Sequence, residues 1–149
     1  LIARKLARCQ MVLAASPDYL ATHGVPKHAD ELITHRFIEY SYSDRPNEFR
    51  YRTGEGKQAV AAITPVFRAN NGQMLRRAAL AGLGLMWVPS FIVGEDIKSG
   101  ALTRLLPELG ASPERNIYAL YPHNRYLSAK VRLFIDAAAK AFAEPCWEV

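Results

Sequence analysis

Four consecutive apolar residues, Leu85-Met86-Trp87-Val88, stand between Gly82-Leu83-Gly84 and Pro89-Ser90. A short run that is apolar on both faces and bounded by turn residues fits a strand covered on both sides. The neighbouring segments alternate in the same sense. Leu1 to Ala15 reads as one or two extended segments. Ser16-Pro17-Asp18 then supplies an N-cap, a proline at the first helical position and an acidic first turn, so a short helix follows until Gly24 and Pro26 stop it. A second short helix is expected from Ala29. Phe37-Ile38-Glu39-Tyr40 reads as a strand. Phe49 to Arg52 alternates with period two and is expected to pair, across the turn Thr53 to Lys57, with one longer strand from Ala59 to Arg68.

Asn70-Asn71-Gly72 opens a helix with Met74, Leu75, Ala78, Ala79 and Gly82 on one face and Arg76 and Arg77 off it. Phe91 to Lys98 reads as a helix, Leu102 to Leu106 as an edge strand, and Asn116 to Tyr121 as a strand. In the last helix Ser128 is the cap, Val131, Phe134, Ile135, Ala138 and Phe142 fall at helical spacing, and Pro145 bars continuation. This alternation predicts an α/β fold with a mostly parallel sheet.

Composition removes several function classes. Half of the 149 residues are hydrophobic and 22% are charged, so a core is available and disorder is excluded. The longest uncharged apolar stretch, Ala78 to Val93, is interrupted by Gly82, Gly84, Pro89 and Ser90 and is too short to span a bilayer as a helix. The net charge of +5 is spread thinly, and no nucleic-acid-binding module accompanies it. The opening Leu1-Ile2-Ala3-Arg4 carries no signal-peptide pattern and is expected of a fragment. Cys9 and Cys146 have no metal spacing and are expected as free thiols in a reducing cytoplasm.

Catalytic motifs are absent too. Gly54-Glu55-Gly56-Lys57 lacks the spacing and the strand-to-helix context of a phosphate loop. Gly82-Leu83-Gly84 precedes a strand, the reverse of the dinucleotide context. His23, His28 and His35 do not share a helical face and are expected at the surface. Glu95 and Asp96 are adjacent, so on a helix they point different ways. No catalytic role, cofactor or metal is expected.

What remains is a pattern of binding. Ligands of open α/β sheets sit outside the carboxyl ends of the strands. Ser41, Tyr42 and Ser43 follow Tyr40. Asn70, Asn71 and Gly72 follow Arg68 and open a helix, and Pro89 and Ser90 follow Val88 and open another. Helix starts offer free N–H groups and a positive dipole end that favour an anion. With Tyr40 and Tyr42 beside them, the expected ligand is a small organic acid or an aromatic compound.

At these residues a resemblance emerges. Val12-Leu13-Ala14-Ala15-Ser16-Pro17-Asp18-Tyr19-Leu20, His23-Gly24 and Pro26 resemble the "VLxASPxYLxxHGxP" stretch of LysR-type transcriptional regulators. Ala29-Asp30-Glu31-Leu32 with His35-Arg36 is similar to the "xDLxxHxC" segment, with Phe37 where cysteine is common. Ala78 to Leu85 followed by Val88-Pro89 resembles "AALAGLGIxxLP". Leu102 to Leu106 and Ile117 to Pro122 match the next blocks, and Leu127 to Asp136 resembles the closing "LSxKVRxFIDF" helix.

The resemblance implies a type II periplasmic-binding-protein-like effector domain, in which two α/β lobes joined by crossover strands hold a small inducer. On that pattern, residues 1–121 would form the crossover strand and the second lobe, and residues 122–149 the C-terminal helix of the first lobe. On the same pattern, the DNA-binding domain would lie outside this chain. The family's cleft positions carry over to Tyr40, Ser41 and Tyr42, to Asn70, Asn71 and Gly72, and to Val88 and Pro89. Implied partners are a small effector, promoter DNA through the N-terminal domain, and further copies in a homodimer or homotetramer, in the cytoplasm and without a membrane. A transporter's solute-binding protein shares this fold and is the alternative. A transferase on the same bilobal scaffold would need a cofactor-bearing cysteine on a loop, for which Cys146 is poorly placed.

Overall fold

The structure, a computed structural model, describes residues 1–111, 115–123, 128–144 and 147–149. The expected stop at Pro145 and the thiol of Cys146 lie outside the described residues. Strand β1 (Ile2–Cys9) continues through Gln10 into β2 (Met11–Ala15). Every residue of β2 is buried, because it lies inside a five-stranded sheet covered on both faces.

Ser16 caps α1 (Pro17–His23) by accepting the Tyr19 N–H at 3.3 Å. Gly24 ends it at φ +83°, a left-handed geometry that glycine adopts without steric cost. The second short helix is a tighter 3-10 helix, Ala29–Thr34, after which β3 (Arg36–Tyr40) begins. Next come β4 (Glu48–Arg52), β5 (Gln58–Ala62) and β6 (Thr64–Ala69). The long strand expected from Ala59 to Arg68 is thus two strands, divided at Ile63. Ile63 is 5% exposed and donates its N–H to Asn47 O at 3.0 Å. Beyond it Pro65 cannot donate a ladder hydrogen bond, and β6 accordingly takes the edge of the main sheet.

Helix α2 (Gly72–Leu80) carries the chain to β7 (Leu85–Pro89), α3 (Ser90–Ser99) and β8 (Thr103–Leu105). The short β9 (Gly110–Ala111) joins β4 and β5 in a three-stranded sheet of order β5-β4-β9. Strand β10 (Arg115–Tyr121) returns antiparallel along β1, from Cys9↔Arg115 to Ile2↔Tyr121. The main sheet has the order β6-β3-β7-β2-β8.

Only half of the main sheet's pairings are parallel. β3 runs parallel to β6 and β7, whereas β2 runs antiparallel to β7 and β8. The mostly parallel sheet expected from the alternation is corrected here. β2 enters straight from β1, with no helical crossover to set its direction.

Alternation along the strands sorts the core into two layers. Leu13, Phe37, Leu85 and Leu105 face Tyr19, Leu32 and Phe49 on one side of the sheet. Val12, Ala14, Ile38, Met86 and Val88 face Leu75, Ala79, Val93 and Leu102 on the other. Leu75 and Ala79 are the buried residues of α2, while Met74 is 52% exposed. Helix α4 (Ala129–Ala141) is capped by Ser128, which accepts from the Val131 N–H at 3.4 Å. Of its apolar stripe only Ile135 is buried, and Phe134 is 72% exposed. Arg4 on β1 holds this helix through Asp136 at 2.7 Å. Trp147 packs edge-on against Phe91 at 6.2 Å, and its backbone lies so close to Gly94 that a Cβ there would meet the Trp147 carbonyl oxygen at 2.8 Å.

Candidate functional site

Strands β3 and β7 are parallel neighbours, so their carboxyl ends open at the same edge of the sheet. A cleft of about 570 Å³ lies there. Met11, Ile38, Phe49, Leu75 and Trp87 give it apolar surface, Tyr40 and Tyr42 add aromatic rings, and Arg45, Arg50 and Arg115 stand with the acidic Glu39, Asp44 and Glu48. That volume falls in the range of small-molecule pockets, and the mixture of apolar surface with a few polar groups suits an amphiphilic ligand.

Five of the eight expected site residues line this cleft: Tyr40, Tyr42, Gly72, Val88 and Pro89. The Tyr40 and Tyr42 rings meet edge to face with centroids 5.9 Å apart. Gly72 lets α2 approach α3, since a Cβ there would meet Ile92 Cδ1 at 2.4 Å. The other three residues lie outside the lining. Ser41 donates its N–H to Ala69 O at 2.9 Å, fixing the chain just after β3. Asn70 supports the cleft from behind, with Nδ2 donating to Tyr42 Oη at 3.4 Å. Asn71 is spent on capping α2, its Oδ1 accepting from the N–H groups of Gln73 at 2.8 Å and Met74 at 3.4 Å.

Glu39 is a cleft residue that local pattern did not single out. It is 5% exposed, and its carboxylate accepts from Arg68 Nε at 2.7 Å and from the Asn47 N–H at 3.0 Å. Arg68 also donates to Asn47 Oδ1, and Asn47 sits at φ +66°. The three side chains thereby pin the far end of the loop that carries Tyr42. The signal was an acidic residue inside an apolar strand, and the partner sits directly across the ladder, Glu39↔Arg68.

Other expected features resolve as structure. His35 is buried rather than on the surface, because its ring closes over the Tyr19 side of the core. Tyr19 Oη lies 3.1 Å from His35 Nδ1 and accepts the Arg36 N–H at 3.0 Å. Burial pushes the His35 imidazole below its ordinary pKa, His23 adds to that, and Glu31 opposes it. Asp96 is buried and grips Arg76 with two hydrogen bonds, 2.5 and 2.7 Å, which couples α3 to α2. Burial raises the Cys9 thiol pKa, against the opposing pull of Arg115. Among the described residues no group of three or more His, Cys, Asp or Glu side chains could hold a metal, and no helix is long and apolar enough to cross a membrane.

Comparison with known proteins places this geometry. The LysR substrate binding domain model matches residues 1–143. The chain is 34% identical over 145 residues to the HTH-type transcriptional regulator DmlR of Escherichia coli, an alignment covering 97% of this chain and 46% of that protein. It is 32% identical over 134 residues to the HTH-type transcriptional regulator CrgA of Neisseria meningitidis, covering 90% of this chain and 44% of that one. The chain therefore spans about half the length of these curated relatives. Among solved structures, the regulatory domain of AphB from Vibrio vulnificus superposes with a TM-score of 0.79 at 35% identity, covering 95% of this chain and 69% of that one. The CrgA regulatory domain of N. meningitidis gives 0.79 at 29% identity, covering 95% and 68%. The chain belongs to the LysR substrate binding domain family.

Proposed function

We propose that this chain is the effector-sensing part of a bacterial, cytoplasmic LysR-type transcriptional regulator, with the cleft at the ends of β3 and β7 as its effector site. The observation that carries this reading is the convergence of Tyr40, Tyr42, Gly72, Val88 and Pro89 on one cleft of about 570 Å³. The ligand class that suits it is a small organic acid or aromatic compound. The tyrosine rings would stack on an apolar body, and Arg45 or Arg115 would meet a carboxylate. Residues 1–121 act as crossover strand and second lobe, and residues 122–149 supply the returning helix of the first. The intact regulator binds promoter DNA through an N-terminal domain, works as a homodimer or homotetramer, and carries out no catalysis. Because the curated relatives are transcriptional regulators, solute capture for a transporter is the less favoured reading.

Effector and DNA couple only through a difference in effector affinity between two arrangements of the regulator. The test is Tyr42→Ala in the intact regulator, read by a promoter reporter across a panel of aliphatic and aromatic carboxylates. The expected result is loss of response with promoter binding retained in the absence of effector. An unchanged dose–response curve in Tyr42→Ala and in Tyr40→Ala would place the effector elsewhere.

A further inference from the structure

The cleft at the ends of β3 and β7 mixes acid with base: Glu39, Asp44 and Glu48 share its lining with Arg45, Arg50 and Arg115. Acidic groups at the wall repel a ligand that is only an anion, so the way each charge is engaged decides what the mixture means. Glu39 is held by Arg68 and the Asn47 N–H, and Glu48 pairs with Arg50 at 3.5 Å. Neither Asp44 nor Arg45 has an ion pair or a side-chain hydrogen bond among the described residues. The two are neighbours on the loop between β3 and β4. Other groups hold that loop: Ser43 donates its N–H to Tyr40 O and its hydroxyl to Arg45 O, each at 3.1 Å, and the Glu48 N–H reaches Arg45 O at 3.4 Å. One acid and one base thus stand uncommitted at the cleft wall, on a loop fixed without their charges.

The aromatic residues carry the same pattern further. Tyr40 and Tyr42 are both exposed and meet edge to face, and a tyrosine ring face attracts a cation. Asp44, two residues beyond Tyr42, adds a full negative charge to that attraction. The more buried lining is apolar, with Phe49 and Trp87 edge to face at 5.0 Å between centroids. The cleft therefore offers a partner for a cation, a partner for an anion and a surface for an apolar body.

We infer that the effector taken by this cleft is a zwitterion, an α-amino acid with an apolar or aromatic side chain. Its ammonium group meets Asp44 and the tyrosine rings, its carboxylate meets Arg45, and its side chain lies against Phe49 and Trp87. The inference rests on the cleft being the effector site and narrows the ligand from organic acids in general. A plain carboxylate of the same shape leaves Asp44 unanswered and is discriminated against.

The test is isothermal titration of the 149-residue chain with L-phenylalanine, 3-phenylpropionate and 2-phenylethylamine, which share a ring and differ in their charged groups, and with L-leucine as an aliphatic amino acid. At least one of the amino acids should bind saturably, and phenylalanine about tenfold tighter than either of its singly charged analogues. Asp44→Asn should bring phenylalanine to the level of 3-phenylpropionate, and Arg45→Gln to that of 2-phenylethylamine. Asp44→Glu should keep part of the preference, and unchanged Tm in all three variants guards against a folding artefact. Equal binding of 3-phenylpropionate and phenylalanine, both lost in Tyr42→Ala, would overturn the zwitterion and leave the cleft as the effector site. Phenylalanine binding untouched by Asp44→Asn, Arg45→Gln and Tyr42→Ala would overturn both. No saturable binding of either amino acid at millimolar concentration would overturn the zwitterion alone, because the promoter reporter with Tyr42→Ala decides the cleft separately.

Discussion

Removing the Glu39 carboxylate tests how the Tyr42 loop is held. Glu39→Ala deletes two charge-assisted hydrogen bonds, to Arg68 Nε at 2.7 Å and the Asn47 N–H at 3.0 Å. Each such bond contributes roughly 1.5–3 kcal/mol at full burial. The Arg68 side chain is 46% exposed, so water takes over much of its share, and about 2 kcal/mol remains for the pair together. For a chain of this length that lowers Tm by about 4–8 °C. Glu39→Gln keeps an acceptor for Asn47 and should lose about half as much. The assay is thermal unfolding of Glu39→Ala, Arg68→Ala and the double variant. A coupling of about 1 kcal/mol between the two positions is expected. Strict additivity, within about 0.3 kcal/mol, would refute it. Effector affinity should also fall in Glu39→Ala, because the freed loop must be ordered again on binding.

Three further outcomes follow from single sites. A Cβ at Gly84 would lie 2.3 Å from the Arg36 carbonyl oxygen, so Gly84→Ala forces β7 from β3 and should cost more than about 2 kcal/mol in urea unfolding. His35 has a folded-state pKa below its ordinary 6.5, so the unfolded chain binds more protons between those two values. Stability should be level above about pH 6.5 and decline as pH falls through 6.5 toward the lower native value, with the decline reduced in His35→Gln; an equal decline in both proteins would assign it to other groups. Ser90 Oγ is fully buried with no hydrogen-bond partner among the described residues, so Ser90→Ala should be neutral or stabilising by up to about 1 kcal/mol, and a clear loss of stability would show that the hydroxyl is satisfied in solution.

Features written in adjacent residues were legible in the sequence. Ser16-Pro17 and Gly24 bound α1, Asn71 starts α2, Ser128 starts α4, and Leu85 to Val88 form a buried strand, because caps and apolar runs act within a few positions. Features that depend on distant partners were not. The direction of β2 is set by its attachment to β1, and the break at Ile63 by a contact with Asn47. His35 looks like a surface histidine until α1 brings Tyr19 against it. At the cleft, the pairing of β3 with β7 brings together strand ends that the sequence marks with tyrosines and a proline. Asn70 and Asn71 take structural hydrogen bonds, to Tyr42 and to the start of α2, and a cap or a support looks the same in sequence as a ligand contact. Glu39 was passed over because its partner Arg68 is 29 residues away.

The tail described above alters the mechanics of the ribbon. Two antiparallel strands alone make a torsionally soft link, free to twist about their common axis. Helix α4 rides on that link through Arg4 and Asp136, yet beyond it Trp147 is seated against Gly94 and Phe91 on α3, and Val149 reaches Arg104 on β8. The helix is therefore tied to α3 and β8 as well as to the ribbon. Twisting the ribbon has to drag this tether along or pull the indole from its seat, so the tail acts as a stop on how far α4 can swing. Gly94, which has no side chain to hold the indole off, sets where that stop engages.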